Sequence, residues 1–167
     1  MFLIESGRLW SIDLAGRTAD FLENEHEVRG AAFADHGVVF AESDETLSFY
    51  RFDDGVTIDV RQGILDSGYR LNDTFRAAHE WRGGGYSLFG QWVVYRGSRG
   101  IFAYSLLTGE VRPVLLEPHG GEIRVDYRRP TIVDSGVMFI VGLESASGAV
   151  GATGPVWRVD LDAVLNR

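Results

Sequence analysis

Two stretches of this chain carry the same residue order. His26-Glu27-Val28-Arg29-Gly30 returns as His79-Glu80-Trp81-Arg82-Gly83. The likeness continues downstream. Phe33 aligns with Tyr86, Gly37 with Gly90, and Val38-Val39-Phe40 with Val93-Val94-Tyr95 after an insertion. A weaker third copy follows, in which Arg128 stands eight residues before Gly136, as Arg29 does before Gly37 and Arg82 before Gly90. Gly136 again opens an apolar run, Val137-Met138-Phe139-Ile140. Recurrence at this length is the mark of one supersecondary unit stacked several times, because a single unit cannot bury its own apolar face.

The repeating unit is made of strands. Period-two alternation places Trp10, Ile12 and Leu14 on one side, and the same pattern recurs at Tyr50 and Phe52, at Phe102, Tyr104 and Leu106, and at Trp157, Val159 and Leu161. Each alternating stretch runs into a turn: Ala15-Gly16, Asp53-Asp54-Gly55, Thr108-Gly109 and Asp162-Ala163. Each is preceded by a continuous apolar strand: Phe2-Leu3-Ile4, Val38-Val39-Phe40, Trp92-Val93-Val94-Tyr95 or Val137-Met138-Phe139-Ile140. Short strands are expected after the first three turns, near Ala19–Leu22, Thr57–Val60 and Val111–Leu115. Two longer segments interrupt the pattern. Gln62 to Phe75 reads as a loop with room for one helical turn, and Gly142 to Pro155, rich in Gly, Ser and Ala, reads as a flexible loop. The tail from Leu161 to Arg167 suits a short terminal helix.

Four antiparallel strands in about 40–55 residues is the pattern of a β-propeller blade. A stacked β-sandwich is the structural rival, but it leaves the recurring pentapeptide unexplained. The expected fold is therefore all-β and propeller-like, with about three and a half four-stranded blades in an incomplete ring. The single domain, 1–167, divides into a partial blade 1–25, a blade 26–62, a blade 79–117 and a partial blade 125–165. The first partial blade is expected to enter at its second strand and the last to stop after its third. Open strand edges at both ends invite pairing. Two copies completing a ring, a tight ring closed by the chain's own termini, and a piece of a longer polypeptide all satisfy that demand.

The segment Phe75-Arg76-Ala77-Ala78-His79-Glu80-Trp81-Arg82-Gly83-Gly84-Gly85-Tyr86 resembles the His-Glu-Tyr-Gly-Gly-Gly stretch in the propeller domain of prolyl-oligopeptidase-type acylaminoacyl and dipeptidyl peptidases. Val93-Val94-Tyr95 and Gly109-Glu110-Val111-Arg112-Pro113 suit the blades of that family and of TolB-type propellers. The specific part covers about twelve residues, and the repeats extend the likeness over about 26 to 161. Arg82, placed between the aromatic residue and the glycines, departs from the family pattern. What the resemblance implies is a propeller without its hydrolase, because no G-x-S-x-G nucleophile elbow occurs in the sequence.

Composition narrows the function classes. The 167 residues carry a net charge of −8, which repels phosphate and argues against nucleic-acid binding. All sixteen basic residues are arginine, and there is no cysteine, so disulfides and thiolate metal sites are excluded. The N-terminal residues lack the basic and apolar regions of a signal peptide, and no apolar run has the length of a membrane-spanning helix. The expectation is a cytoplasmic protein without membrane contact. His26, His36, His79 and His119 form no H-x-H or H-E-x-x-H motif, so no metal and no cofactor is expected. Gly83-Gly84-Gly85 lacks the Lys-Ser/Thr of a phosphate loop. Asp53-Asp54 and Asp160/Asp162 read as turn-forming acids.

The candidate binding residues are Arg29, Arg82 and Arg128, with His79 and Trp81 beside the second. Equivalent positions in successive blades lie at equivalent places around the axis, where an arginine cluster could clamp a carboxylate or phosphate. The competing role is structural, an inter-blade salt bridge of Arg29 and Arg82 with Glu27, Glu80 or a neighbour's acid, and the recurrence of Glu27 and Glu80 with the arginines favours pairing within the repeat. The alternating aromatics read as core between blades rather than as glycan platforms. The leading functional expectation is a non-enzymatic binding or assembly module contacting a protein partner or a second copy. The alternatives are a small-ligand or glycan-binding half-propeller that oligomerises, and a propeller accessory domain of a peptidase-like system. An activity-based fluorophosphonate probe is expected to label no serine stoichiometrically, and reproducible labelling would contradict the non-enzymatic reading.

Overall fold

A computed structural model describes residues 2–22, 27–42, 46–67, 86–97, 100–116, 123–127, 131–132, 136–146, 149–150 and 156–166. The described residues form an all-β structure of four antiparallel sheets. The first sheet is a three-stranded meander of β1 (Phe2–Glu5), β2 (Arg8–Asp13) and β3 (Thr18–Leu22). The second has four strands in chain order: β4 (Val28–Ala34), β5 (Gly37–Glu42), β6 (Leu47–Arg51) and β7 (Thr57–Asp59). The third repeats that order with β8 (Tyr86–Phe89), β9 (Trp92–Gly97), β10 (Gly100–Ser105) and β11 (Val111–Leu116).

The fourth sheet departs from the expected three strands. It contains β12 (Ile123–Tyr127), β13 (Thr131–Ile132), β14 (Val137–Ala146), β15 (Ala149–Val150) and β16 (Val156–Asp160). The ten-residue β14 is its spine. Its first half pairs with β13 and β16, and its second half with β12 and β15. The expectation of a flexible loop from Gly142 to Pro155 is thus corrected over its first part. Gly142 to Ala146 continue the strand, and Ser145 and Ala146 pair with Val150 and Ala149. Small side chains made this stretch look like a linker, but ladder hydrogen bonds need only the backbone.

The four sheets stack face to face in chain order, and three apolar layers lie between them. Leu9 and Leu22 of the first sheet meet Val38, Phe40, Ala31 and Tyr50 of the second. Val39, Ala41, Leu47 and Phe49, on the opposite face of the second sheet, meet Tyr86, Val93, Tyr95, Phe102 and Tyr104 of the third. Trp92, Val94, Ile101 and Ala103 then meet Met138, Trp157 and Val159 of the fourth. The register explains the sorting, since side chains alternate between faces along each strand. Sheets covered on both sides lose the outward polar alternation, and every residue of β5 and β10 is buried.

The stack is splayed. At one edge the leading strands approach one another, β4 against β8 and β8 against β13. Tyr86 reinforces this edge by donating from its hydroxyl to the Gly30 carbonyl at 2.6 Å. Away from that edge, helices enter the gaps. Helix α1 (Val60–Asp66) begins where the fourth strand was expected to include Val60. The Asp59 carboxylate accepts from the Gln62 amide at 2.8 Å and caps the helix, which ends the strand one residue early. Val60 and Ile64 then enter the layer between the second and third sheets. Helix α2 (Leu161–Leu165), expected from the tail, is capped by Asp160 and sends Leu161 and Leu165 into the next layer. Arg112 fastens it, donating to the Leu165 carbonyl at 2.8 Å while lying 5.3 Å over the Trp92 ring.

Gly63 shows how closely α1 is fitted. A Cβ there would overlap the Tyr104 hydroxyl and stand 2.7 Å from the ring carbon bearing it. Alanine normally favours a helix over glycine by about 1 kcal/mol. Here the overlap reverses the sign, and Gly63→Ala is expected to destabilise by about 1–3 kcal/mol, as overpacking does. Thermal melts of G63A in the wild-type and Tyr104→Phe backgrounds check the cause. The penalty should shrink once the hydroxyl is gone.

Candidate functional site

A cleft of about 610 Å³ runs along the edge where the leading strands converge. Its walls are Ala31 to Asp35 of β4 and the turn after it, Ser87 to Gly90 of β8 and the turn after it, and Ile132 of β13. The sequence makes this space in a simple way. Ala31, Ala32 and Ala34 put methyl groups on β4, and Phe33 between them keeps its ring half exposed beside the space. Among the described residues, β4 is laddered to β5 and β8 to β9, and the opposite edges of the two strands line the cleft. Asp35, which is exposed, is the single charged residue among those lining the space. The cleft therefore offers apolar contacts, from alanine methyls and the exposed Phe33 ring, and one negative charge at its rim.

Of the sequence-derived candidates, Arg29 is the one within the described residues. It sits in β4 at a bulge, where the register shifts between Val28 and Gly30. The bulge turns Arg29 out of the ladder, and its guanidinium pairs with the Glu27 carboxylate. The two side chains are 39% and 49% exposed, so the pair contributes about 0–1 kcal/mol. This is the within-repeat pairing considered as the structural alternative. Arg82, Arg128, His79 and Trp81 lie outside the described residues. The spacing that linked the arginines is also altered. Gly37 is the first residue of β5 and pairs with Ala34, whereas Gly90 lies in the turn at φ +51 and the next pair is Phe89 with Trp92. The two glycines occupy different places in the hairpin, so an equal count back to each does not make Arg29 and Arg82 equivalent.

The other candidates resolve in the same concrete way. Phe102 and Tyr104 are buried, while Trp10, Tyr50 and Trp157 are half-buried. Trp92 is buried among the aliphatic side chains of the third layer, with its indole N–H unpaired. His36 lies in the turn after β4, its ring 5.7 Å from that of Phe49. His26 and His119 lie outside the described residues. Among the described residues no group of three or more His, Asp or Glu side chains gathers. No helix among them is long and apolar enough to cross a membrane. No protein-family model matches the sequence, and none of the curated proteins does.

Asp53 and Asp54 act in the turn after β6. Arg51 holds Asp54 through both of its carboxylate oxygens, the Nε–Oδ1 contact being 2.8 Å, and Asp54 also accepts from the Val56 amide at 3.2 Å. The Arg51 hydrogen bond, helped by that amide, lowers the Asp54 pKa from 3.8 to about 2. A carboxylate whose folded pKa is depressed adds stability above its unfolded pKa and loses it as pH falls through the folded value. The turn should thus hold at pH 4 and above and loosen between 3.8 and about 2. NMR titration of the Asp54 carboxyl should give a midpoint near 2 in the wild type and one moved back toward 3.8 in Arg51→Gln.

Proposed function

We propose that this chain is a non-enzymatic binding and assembly module whose sheets are arranged as the blades of an incomplete β-propeller. The cleft at the converging edge is where it receives a protein partner. The observation that carries this reading is the meeting of β4, β8 and β13 at one edge, with the sheets fanned away from it. Sheets packed face to face in chain order, the second and third each leading with its cleft-side strand, are what blades around an axis require. The cleft then corresponds to the axial opening. Its walls of alanine methyls and the exposed Phe33 ring, set along two strand edges, suit an extended peptide or a protein loop with apolar side chains. Among the described residues that line it, Ser87 carries the one hydroxyl and no His, Lys or Cys stands with it, whereas covalent catalysis needs a nucleophile with an adjacent base.

The charge of the rim makes the proposal specific. With Asp35 the one charged lining residue and a chain of net charge −8, the preferred partner segment is basic. Selection from a displayed peptide library should return extended, positively charged segments. Asp35→Arg should weaken them severalfold, mainly by slowing association, while leaving the thermal melt unchanged. Selected segments that ignore the Asp35 substitution, or the recovery of no segment at all, would refute the cleft as the binding site.

A further inference from the structure

Each internal interface of the stack is built in one way. The face of a sheet that looks back along the chain packs on the forward face of the sheet before it. The backward faces carry the alternating aromatic strand: Tyr50 in the second sheet, Phe102 and Tyr104 in the third, and Trp157 and Val159 in the fourth. The forward faces carry Val39 in the second sheet and Val94 in the third, both fully buried. Two faces remain. In the first sheet Leu9 and Leu22 look forward, so the cross-strand pair Trp10 and Phe21 looks backward, together with Ile12 and Arg8. In the fourth sheet Met138 and Val159 look backward, so the pair Phe139 with Arg158 looks forward, and Val156 with it.

These two faces have the chemistry of the covered ones. Trp10 and Ile12 repeat the alternation that is packed in every later sheet. The Trp10 and Phe21 rings lie 5.7 Å apart, with the Arg8 guanidinium 5.0 Å over Phe21. Phe139 stands where Val39 and Val94 stand, counted by register from the leading hairpins. Yet Phe139 is 40% exposed, Val156 62% and Phe21 37%. No apolar layer among the described residues joins the first sheet to the fourth.

We propose that the forward face of the fourth sheet packs on the backward face of the first sheet of a second copy of this chain, head to tail. The proposal rests on the blade reading above and names the partner it requires. The occupant follows from the repeat: a face that evolved as one member of a forward–backward pair is matched by the other member, and a second copy is the molecule sure to carry it. The contact is heterologous, so it either closes or grows into a filament. Because the sheets fan about one edge, two such contacts between two copies curve back on themselves and close.

Sedimentation velocity on the whole chain, with two single variants, tests the polarity. Trp10→Glu spoils the backward face, and Phe139→Glu spoils the forward one. Both residues are partly exposed, so circular dichroism and melts should stay close to wild type. The wild type is expected to run as a dimer and each variant alone to be strongly weakened. An equimolar mixture of the two should regain a complex, since it holds one intact face of each kind. A wild-type monomer at tens of micromolar overturns the proposal. So does a Phe139→Glu protein that dimerises like wild type, which would mean that two backward faces meet each other. Either result leaves peptide binding in the cleft standing, and loss of that binding leaves the dimer standing, so the two readings fail separately. If a variant misfolds, Val156→Glu and Phe21→Glu probe the same two faces.

Discussion

A strand with apolar side chains on both faces has no stable place except between two other layers, and β5 and β10 are such strands. With Val38 and Phe40 on one face and Val39 and Ala41 on the other, β5 needs a sheet on each side. The same holds for β10, with Phe102 and Tyr104 against Ile101 and Ala103. Full burial of one large apolar side chain is worth about 1.5–3 kcal/mol, so leaving either face open would forfeit several such terms at once. The layer holding Phe49, Tyr86, Tyr95 and Phe102 is accordingly the centre of the molecule. The first and fourth sheets are the coverings it demands.

Much of this could be read from the residues. The continuous apolar runs Val38-Val39-Phe40 and Trp92-Val93-Val94-Tyr95 lie in sheets covered on both sides, and the alternating aromatics are the side chains that look back along the chain. The turns at Ala15-Gly16, Asp53-Asp54-Gly55 and Thr108-Gly109 lie where turn chemistry places them. What escaped was decided by partners distant in sequence or by a single cap. The second half of β14 has too few large side chains to announce a strand, and it is held by backbone pairing with β12. Val60 reads as the end of a strand until the Asp59 carboxylate turns the chain into a helix. The bulge at Arg29 leaves no mark in composition, since it depends on register against β5.

The cleft had a signal that went unread. Ala31, Ala32 and Ala34 in a leading strand are too small to fill a layer, and a run of small residues in a strand commonly marks a place where something else comes close. The recurring arginine is the more conspicuous chemistry. In β4 that arginine is spent on its neighbour Glu27, while the plain residues after it shape the open space. Conspicuous side chains mark where a repeat is maintained, whereas inconspicuous ones decide where it is left empty.

The two helices bear on a question of geometry. α1 fills the outer part of one gap between sheets, and α2 fills the next. With the leading strands already in contact, the angle between neighbouring sheets is a matter of how much volume stands at the far side. Thickness there, rather than the number of strands, would fix how many sheets complete a full turn. Gly63 lets α1 lie hard against Tyr104 and so keeps that angle small. A bulkier residue at one position in a short helix would act as a shim, widening the angle and lowering the count at which the circle closes.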